Sequence, residues 1–103
     1  MAGIENEVVL TIKCLDMADP KMQRLKFDET LDENGWLLLR QEGVEKQGNL
    51  ISTTTIWTQN FILQKPQTRI EKQIKNLLKR AANYAEIEHY SAEYIFKGNP
   101  YSI

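Results

Sequence analysis

The sequence predicts an α+β fold: an antiparallel β-meander of four strands, then one amphipathic helix (about 68–85) packed on the sheet, then a C-terminal strand (about 86–96). Three observations carry that expectation. Apolar and β-branched residues alternate with period two near the start of the chain. Asn34-Gly35 stands between two alternating runs and is a strong short-range hairpin signal, because both residues tolerate the positive φ of a type I′ turn. From Ile70 to Ala85, apolar residues recur at three- and four-residue steps, one face of a helix advancing about 100° per residue.

The first strand is read over 7–15. Val8, Leu10, Ile12 and Cys14 share one face; Val9, Thr11, Lys13 and Leu15 share the other. Asp16 to Pro20 reads as a loop punctuated by Asp19-Pro20. The second strand is Arg24 to Leu31, with Leu25, Phe27 and Leu31 on one face, and Asn34-Gly35 returns it into Trp36–Gln41. A two-residue loop then sets Leu31 opposite Leu38 and Glu29 opposite Arg40, one apolar and one opposite-charge pair. Glu45-Lys46-Gln47-Gly48 reads as the next turn. A long strand follows from about Asn49 to Leu63, with the β-favouring run Thr53-Thr54-Thr55-Ile56 inside it.

Pro66 marks the crossover, and Thr68 with Glu71 fits a capping box at the helix start. Ile70, Ile74, Leu77, Leu78, Ala81, Tyr84 and Ala85 form the apolar stripe. Continuing the wheel puts Glu88 in the middle of that stripe and Ile87 among the cations, so the helix ends near Ala85. Glu86 to Phe96 reads as the last strand, with Tyr90, Ala92, Tyr94 and Phe96 as its more apolar face. The competing reading carries the helix on through Tyr94, since alanine and glutamate favour helix. Lys97-Gly98-Asn99-Pro100 ends the strand and leaves 101–103 as a tail.

At 103 residues the chain is expected to be a single α+β domain, 1–103, long enough to bury roughly two-thirds of its unfolded surface. A hydrophobic content of 42% and a net charge of −1 argue against disorder and against any global attraction to nucleic acid or anionic lipid. The single cysteine excludes an internal disulfide and any multi-thiolate metal site. The acidic start lacks the pattern of a secretion signal, and no apolar run approaches the roughly 20 residues that span a bilayer. The expectation is a soluble, cytoplasmic protein with no membrane partner, no cofactor, no metal site and no inferred small-molecule substrate.

Candidate chemistry is sparse. His89 is the lone histidine, and in a strand its neighbours Glu88 and Tyr90 point to the opposite face, so a surface histidine is the more ordinary reading. Cys14 sits on an apolar strand face, where a free cysteine behaves as a small buried hydrophobe. Asp28, Glu29, Asp32 and Glu33 have oxygens for a hard cation but lack calcium-loop spacing. The strongest lead is cationic. Lys65, Arg69, Lys72, Lys75, Lys79 and Arg80 share an arc of the helix and suit phosphates or an acidic partner, although an amphipathic helix ordinarily has such a solvated face.

One helix of about 17 residues is roughly 26 Å long and 10 Å wide, while five strands span roughly 24 Å. A lone helix cannot cover that sheet, and Trp36, Leu37, Leu39, Trp57, Tyr90 and Tyr94 are therefore candidate interface residues. On this reading the chain is not an enzyme. It is a protein-interaction or assembly module (a structural subunit, adaptor or small inhibitor) that meets a protein partner or itself. The alternative is a nucleic-acid-binding module using the basic helix face.

Overall fold

The computed structural model describes residues 7–61 and 66–103, with the side chains of 46 and 49–51 left aside. Its order is β1 (Glu7–Leu15), α1 (Pro20–Glu33), β2 (Leu37–Lys46), β3 (Asn49–Asn60), α2 (Gln67–Ala85), β4 (His89–Phe96) and β5 (Asn99–Ser102). The α+β class holds, with five antiparallel strands in the order β2-β3-β1-β4-β5. The four-strand meander and single helix do not.

The segment Arg24–Leu31 is helix, not strand. Asp19 caps it, its carboxylate accepting from the Met22 N–H, and Pro20 fills the first turn, where a missing N–H costs nothing. Arg24, Phe27 and Leu31 are the buried positions, spaced three and four apart, while Leu25 points to solvent. Asn34-Gly35 is accordingly a helix stop rather than a hairpin. Gly35 has φ +86°, its N–H donates to the Asp32 carbonyl, and the Trp36 N–H donates to the Leu31 carbonyl. That 6→1 and 5→2 pair is a Schellman motif, and its flanking residues Leu31 and Trp36 are both buried in the core. The pairs Leu31/Leu38 and Glu29/Arg40 do not form; Leu38 lies opposite Trp57 and Arg40 opposite Ile56.

The later elements follow the sequence more closely. Gln47 and Gly48 (φ +55° and +80°) make the two-residue turn between β2 and β3. Lys97 and Gly98 (φ +51° and +78°) do the same after β4, so Asn99–Ser102 is a short strand rather than a tail. The helix stops at Ala85, where Glu86 turns left-handed and Ile87 tucks its N–H onto the Ala82 carbonyl. The capping box is absent: no side chain caps α2, and Glu71 serves elsewhere. Tyr84 leaves the stripe for solvent, and Ala82 takes a buried place.

Both helices lie on one face of the sheet. There Val8, Leu10, Ile12 and Cys14 of β1, Trp57 of β3, and Ala92, Tyr94 and Phe96 of β4 meet Phe27 and Leu31 of α1 and the Ile70–Ala85 stripe of α2. Among the described residues, no helix covers the other face.

Candidate functional site

Strand register writes the open face out in rows. Thr54, Lys13 and Ser91 form one row across β3, β1 and β4; Ile56, Thr11, Glu93 and Ser102 form the next, reaching β5. The row beyond Lys13 is Ser52, Leu15 and His89, and the row beyond Thr11 is Thr58, Val9, Ile95 and Pro100, apolar in all but its β3 member. The Lys13 and Thr11 rows, polar in all but Ile56, make a window in the sheet. Lys13 and Glu93 are diagonal neighbours on adjacent strands, about 7–8 Å apart at the backbone and within reach of a shared ligand.

The window lies beside a notch. β4 has eight residues and β5 only four, pairing with Glu93–Phe96, so the edge of His89–Ser91 has no strand along it among the described residues. Ile103 closes the end of β5 by donating its N–H to the Ala92 carbonyl. On the open face the notch continues into a depression of about 450 Å³ lined by Thr11, Lys13, Thr54, Ser91, Glu93 and Ser102. On the helix side, a second of about 390 Å³ is lined by Lys75, Lys79 and Tyr90, and both share Ser91, Ala92 and Ile103. Those volumes fall in the range of small-molecule sites. Burial holds the Tyr90 hydroxyl above its ordinary pKa, with Cys14 adding to the shift, so it stays a donor.

Two polar clusters lie on the covered side. Arg24, itself buried, donates from Nη2 to Asp28 Oδ1 at 2.5 Å and Thr55 Oγ1 at 3.2 Å, and from Nη1 to Thr53 Oγ1 at 3.0 Å and Cys14 Sγ at 3.4 Å. Its Nε has no partner. Burial raises the Asp28 and Cys14 pKa values by more than Arg24 lowers them. Arg24 is buried and its bonded partners come from β1, β3 and α1 itself, so the cluster reads as a buried strut. The second cluster joins Tyr94, whose hydroxyl donates to Glu71 Oε1 at 2.9 Å and accepts from Gln67, while its ring stacks on Tyr101 at 5.1 Å. Burial of this tyrosine pushes its pKa up to about 12.

The sequence candidates scatter. Trp36, Trp57 and Tyr94 are core residues and have no surface to offer a partner; Tyr90 is half-buried at the notch; Leu37 and Leu39 are exposed on β2. Arg69, Lys72, Lys75, Lys79 and Arg80 are exposed on α2, while Lys65 lies outside the described residues. Within that arc Lys75 pairs with Glu71 at 3.5 Å and Arg80 reaches Asn34. His89 is exposed one row beyond the window, opposite Leu15, and Cys14 is sealed in the core. No group of three or more His, Cys, Asp or Glu side chains is placed to hold a metal among the described residues. No described helix is long and apolar enough to cross a membrane. The window itself went unread in the sequence. Its signal is there, in Thr11 and Lys13 at the outward parity of one strand and Ser91 and Glu93 at that of another, but nothing local says that those strands are neighbours.

No protein-family model matches the chain, and no curated protein does. Solved structures do. A phage SAM lyase in its apo state superposes with a TM-score of 0.60 at 11% identity, covering 100% of this chain and 92% of that one. The Bacillus subtilis YXEP protein, a dinuclear metal binding peptidase from the M20 family, superposes with a TM-score of 0.61 at 13% identity; the match covers 96% of this chain but only 27% of the peptidase. A phage SAM lyase in complex with S-methyl-5′-thioadenosine gives a TM-score of 0.48 at 10% identity, over 95% of this chain and 89% of that one. These likenesses establish a fold, and it is a fold that enzymes carry. They overturn the expectation of a non-enzymatic interaction or assembly module. The premise of that expectation also fails, because α1 is a second helix beside α2 and the apolar face needs no partner to close it.

Proposed function

We propose that this chain is an enzyme of small-molecule chemistry, a lyase whose substrate is a zwitterion of the S-adenosylmethionine class held at the notch beside β4. One observation carries the reading. The polar window sets a lone cation, Lys13, diagonal to a lone anion, Glu93, with the hydroxyls of Thr11, Thr54, Ser91 and Ser102 around them. A substrate bearing a carboxylate and a nearby cationic centre fits that order of charge. Lys13 seats the carboxylate, and Glu93 faces the ammonium or sulfonium.

The substrate class comes from the phage SAM lyase, whose fold superposes on 100% of this chain and 92% of its own. The chemistry suits an open site of modest equipment. A sulfonium is already a leaving group: as an oxygen of the substrate's own carboxylate attacks the γ-carbon, the C–S bond to that carbon breaks, its electron pair goes to sulfur, and a neutral thioether leaves beside a lactone with no outside reactant. Positioning and electrostatics then do most of what the site must do.

The test is direct. The purified protein is incubated with S-adenosylmethionine and the mixture resolved chromatographically, with binding followed by calorimetry. We expect the substrate to be consumed and a thioether nucleoside to appear, and we expect K13M and E93Q each to weaken binding at least about tenfold, one lost charge-assisted contact apiece. Folded protein that neither binds nor consumes S-adenosylmethionine at millimolar concentration rejects the proposal.

A further inference from the structure

At the far side of the sheet from the notch, β2 is an edge strand whose one sheet neighbour among the described residues is β3. It is exposed from Leu37 to Glu45, including the large apolar side chains Leu37 (63%), Leu39 (55%) and Val44 (53%). Charged side chains on such an edge usually repel a second strand. Here they are arranged to receive one. Arg40 and Glu42 lie opposite Ile56 and Thr54, on the open face, and their side chains are 2.5 Å apart and 68% and 55% exposed.

Two copies of β2 that meet antiparallel about a two-fold axis must keep each face on its own side, because a one-residue slip inverts every side chain. Three registers then bring these charges together. Centring on Arg40 sets arginine against arginine, and centring on Glu42 sets glutamate against glutamate. Centring on Gln41 sets each Arg40 directly opposite the Glu42 of the other copy, twice over. In that register Leu39, the extra residue at the bulge between Leu38 and Arg40, comes opposite Gly43, which has no side chain to obstruct it.

We infer that β2 pairs with β2 of a second copy of this chain, antiparallel and centred on Gln41, joining two five-stranded sheets into one. The four charges form an alternating square, and the free backbone groups of both edges find partners. The notch lies at the opposite side of each sheet, so the pairing neither uses nor covers it.

Sedimentation across a range of protein concentration tests this without any substrate. The protein is expected to pass from monomer to dimer. R40E and E42R should each weaken the dimer at least about tenfold, and the R40E/E42R double variant should restore it, since the swap preserves complementarity. Both side chains are exposed, so far-UV circular dichroism should not change. Q41C should lock the dimer on oxidation: directly opposed residues of antiparallel strands sit about 4.5–5.5 Å apart at Cα, within disulfide range. Cys14 is buried and does not compete. A strict monomer, a dimer indifferent to the single charge reversals, or one that the Q41C thiols fail to lock overturns the inference.

Discussion

Lys13 and Cys14 are adjacent in the chain and belong to different surroundings. Cys14 faces the helices, where the buried guanidinium of Arg24 is held by a carboxylate, two hydroxyls and the thiol itself. Lys13 faces the open side, in a row with Thr54 and Ser91 and with no ion-pair partner among the described residues. The same sheet thus carries two kinds of polar chemistry. On the covered face every charge is answered from within the chain, which is what stability requires. In the window on the open face, Lys13 and Glu93 have no ion-pair partner among the described residues, which is what binding requires. The difference yields a graded set of experiments in which stability should respond strongly on one side and hardly at all on the other.

The largest effect belongs to the Arg24 strut, and it should be asymmetric. Asp28→Ala leaves a guanidinium that is 6% exposed facing only hydroxyls and a thiol, and an uncompensated buried charge costs about 3–5 kcal/mol. Arg24→Met leaves the Asp28 carboxylate, which is 25% exposed and can reach water, so its cost should be nearer 2 kcal/mol. Urea unfolding of both variants decides the matter. Equal costs would mean that Arg24 is better solvated than its burial implies.

Next comes the stop of α1. Gly35 has φ +86°, and a Cβ there would meet the Gln59 amide at 2.6 Å, so Gly35→Ala should cost about 1–2 kcal/mol. Asn34 has an ordinary φ of −102°, and Asn34→Ala loses two exposed side-chain hydrogen bonds, one to the Thr30 carbonyl and one from Arg80, about 1 kcal/mol in all. A type I′ hairpin would need positive φ at both residues and would make both substitutions costly. The pair of unfolding midpoints therefore distinguishes the two readings of Asn34-Gly35.

That dipeptide also shows where the sequence was legible. α2 was readable because its buried positions are all apolar, and its end because Ile87 and Glu88 fall on the wrong sides of the wheel. α1 was not, because one of its three buried positions is an arginine. With Arg24 counted as polar, Leu25, Phe27 and Leu31 looked like a strand face, and Asp19-Pro20, a cap and a first-turn proline, looked like loop punctuation. The faces of β1 and β4 were each correctly divided, with Tyr90, Ala92, Tyr94 and Phe96 inward. Their adjacency was beyond reach, because β4 arrives beside β1 by a crossover through α2, and local pattern carries no information on which strand a returning chain will join. The window of Lys13 and Glu93 exists only through that adjacency.

A smaller effect tests the rim of the covered face. Tyr94 keeps its proton up to about pH 12 in the folded protein against about 10 in the unfolded chain. The folded state therefore binds more protons between those values, and the stabilisation complete below pH 10 is lost as the pH rises towards 12. Tyr94→Phe removes the hydroxyl. It should lose about 1 kcal/mol at neutral pH, with the bond to Glu71 gone, and should show a flatter fall in stability above pH 10. Urea midpoints of the two proteins at rising pH check the sign.

The smallest stability effects belong to the open face, and their smallness is the point. Lys13 and Glu93 are exposed, so K13M and E93Q should each move the unfolding free energy by no more than about 0.5 kcal/mol. If they are ligand-binding groups, the same substitutions should remove most of the affinity for an S-adenosylmethionine-class zwitterion, so that binding and stability separate cleanly. A marked loss of stability in E93Q would place Glu93 among the residues that hold the sheet together. The contrast between the two faces would then fail at the residue on which the proposed site most depends.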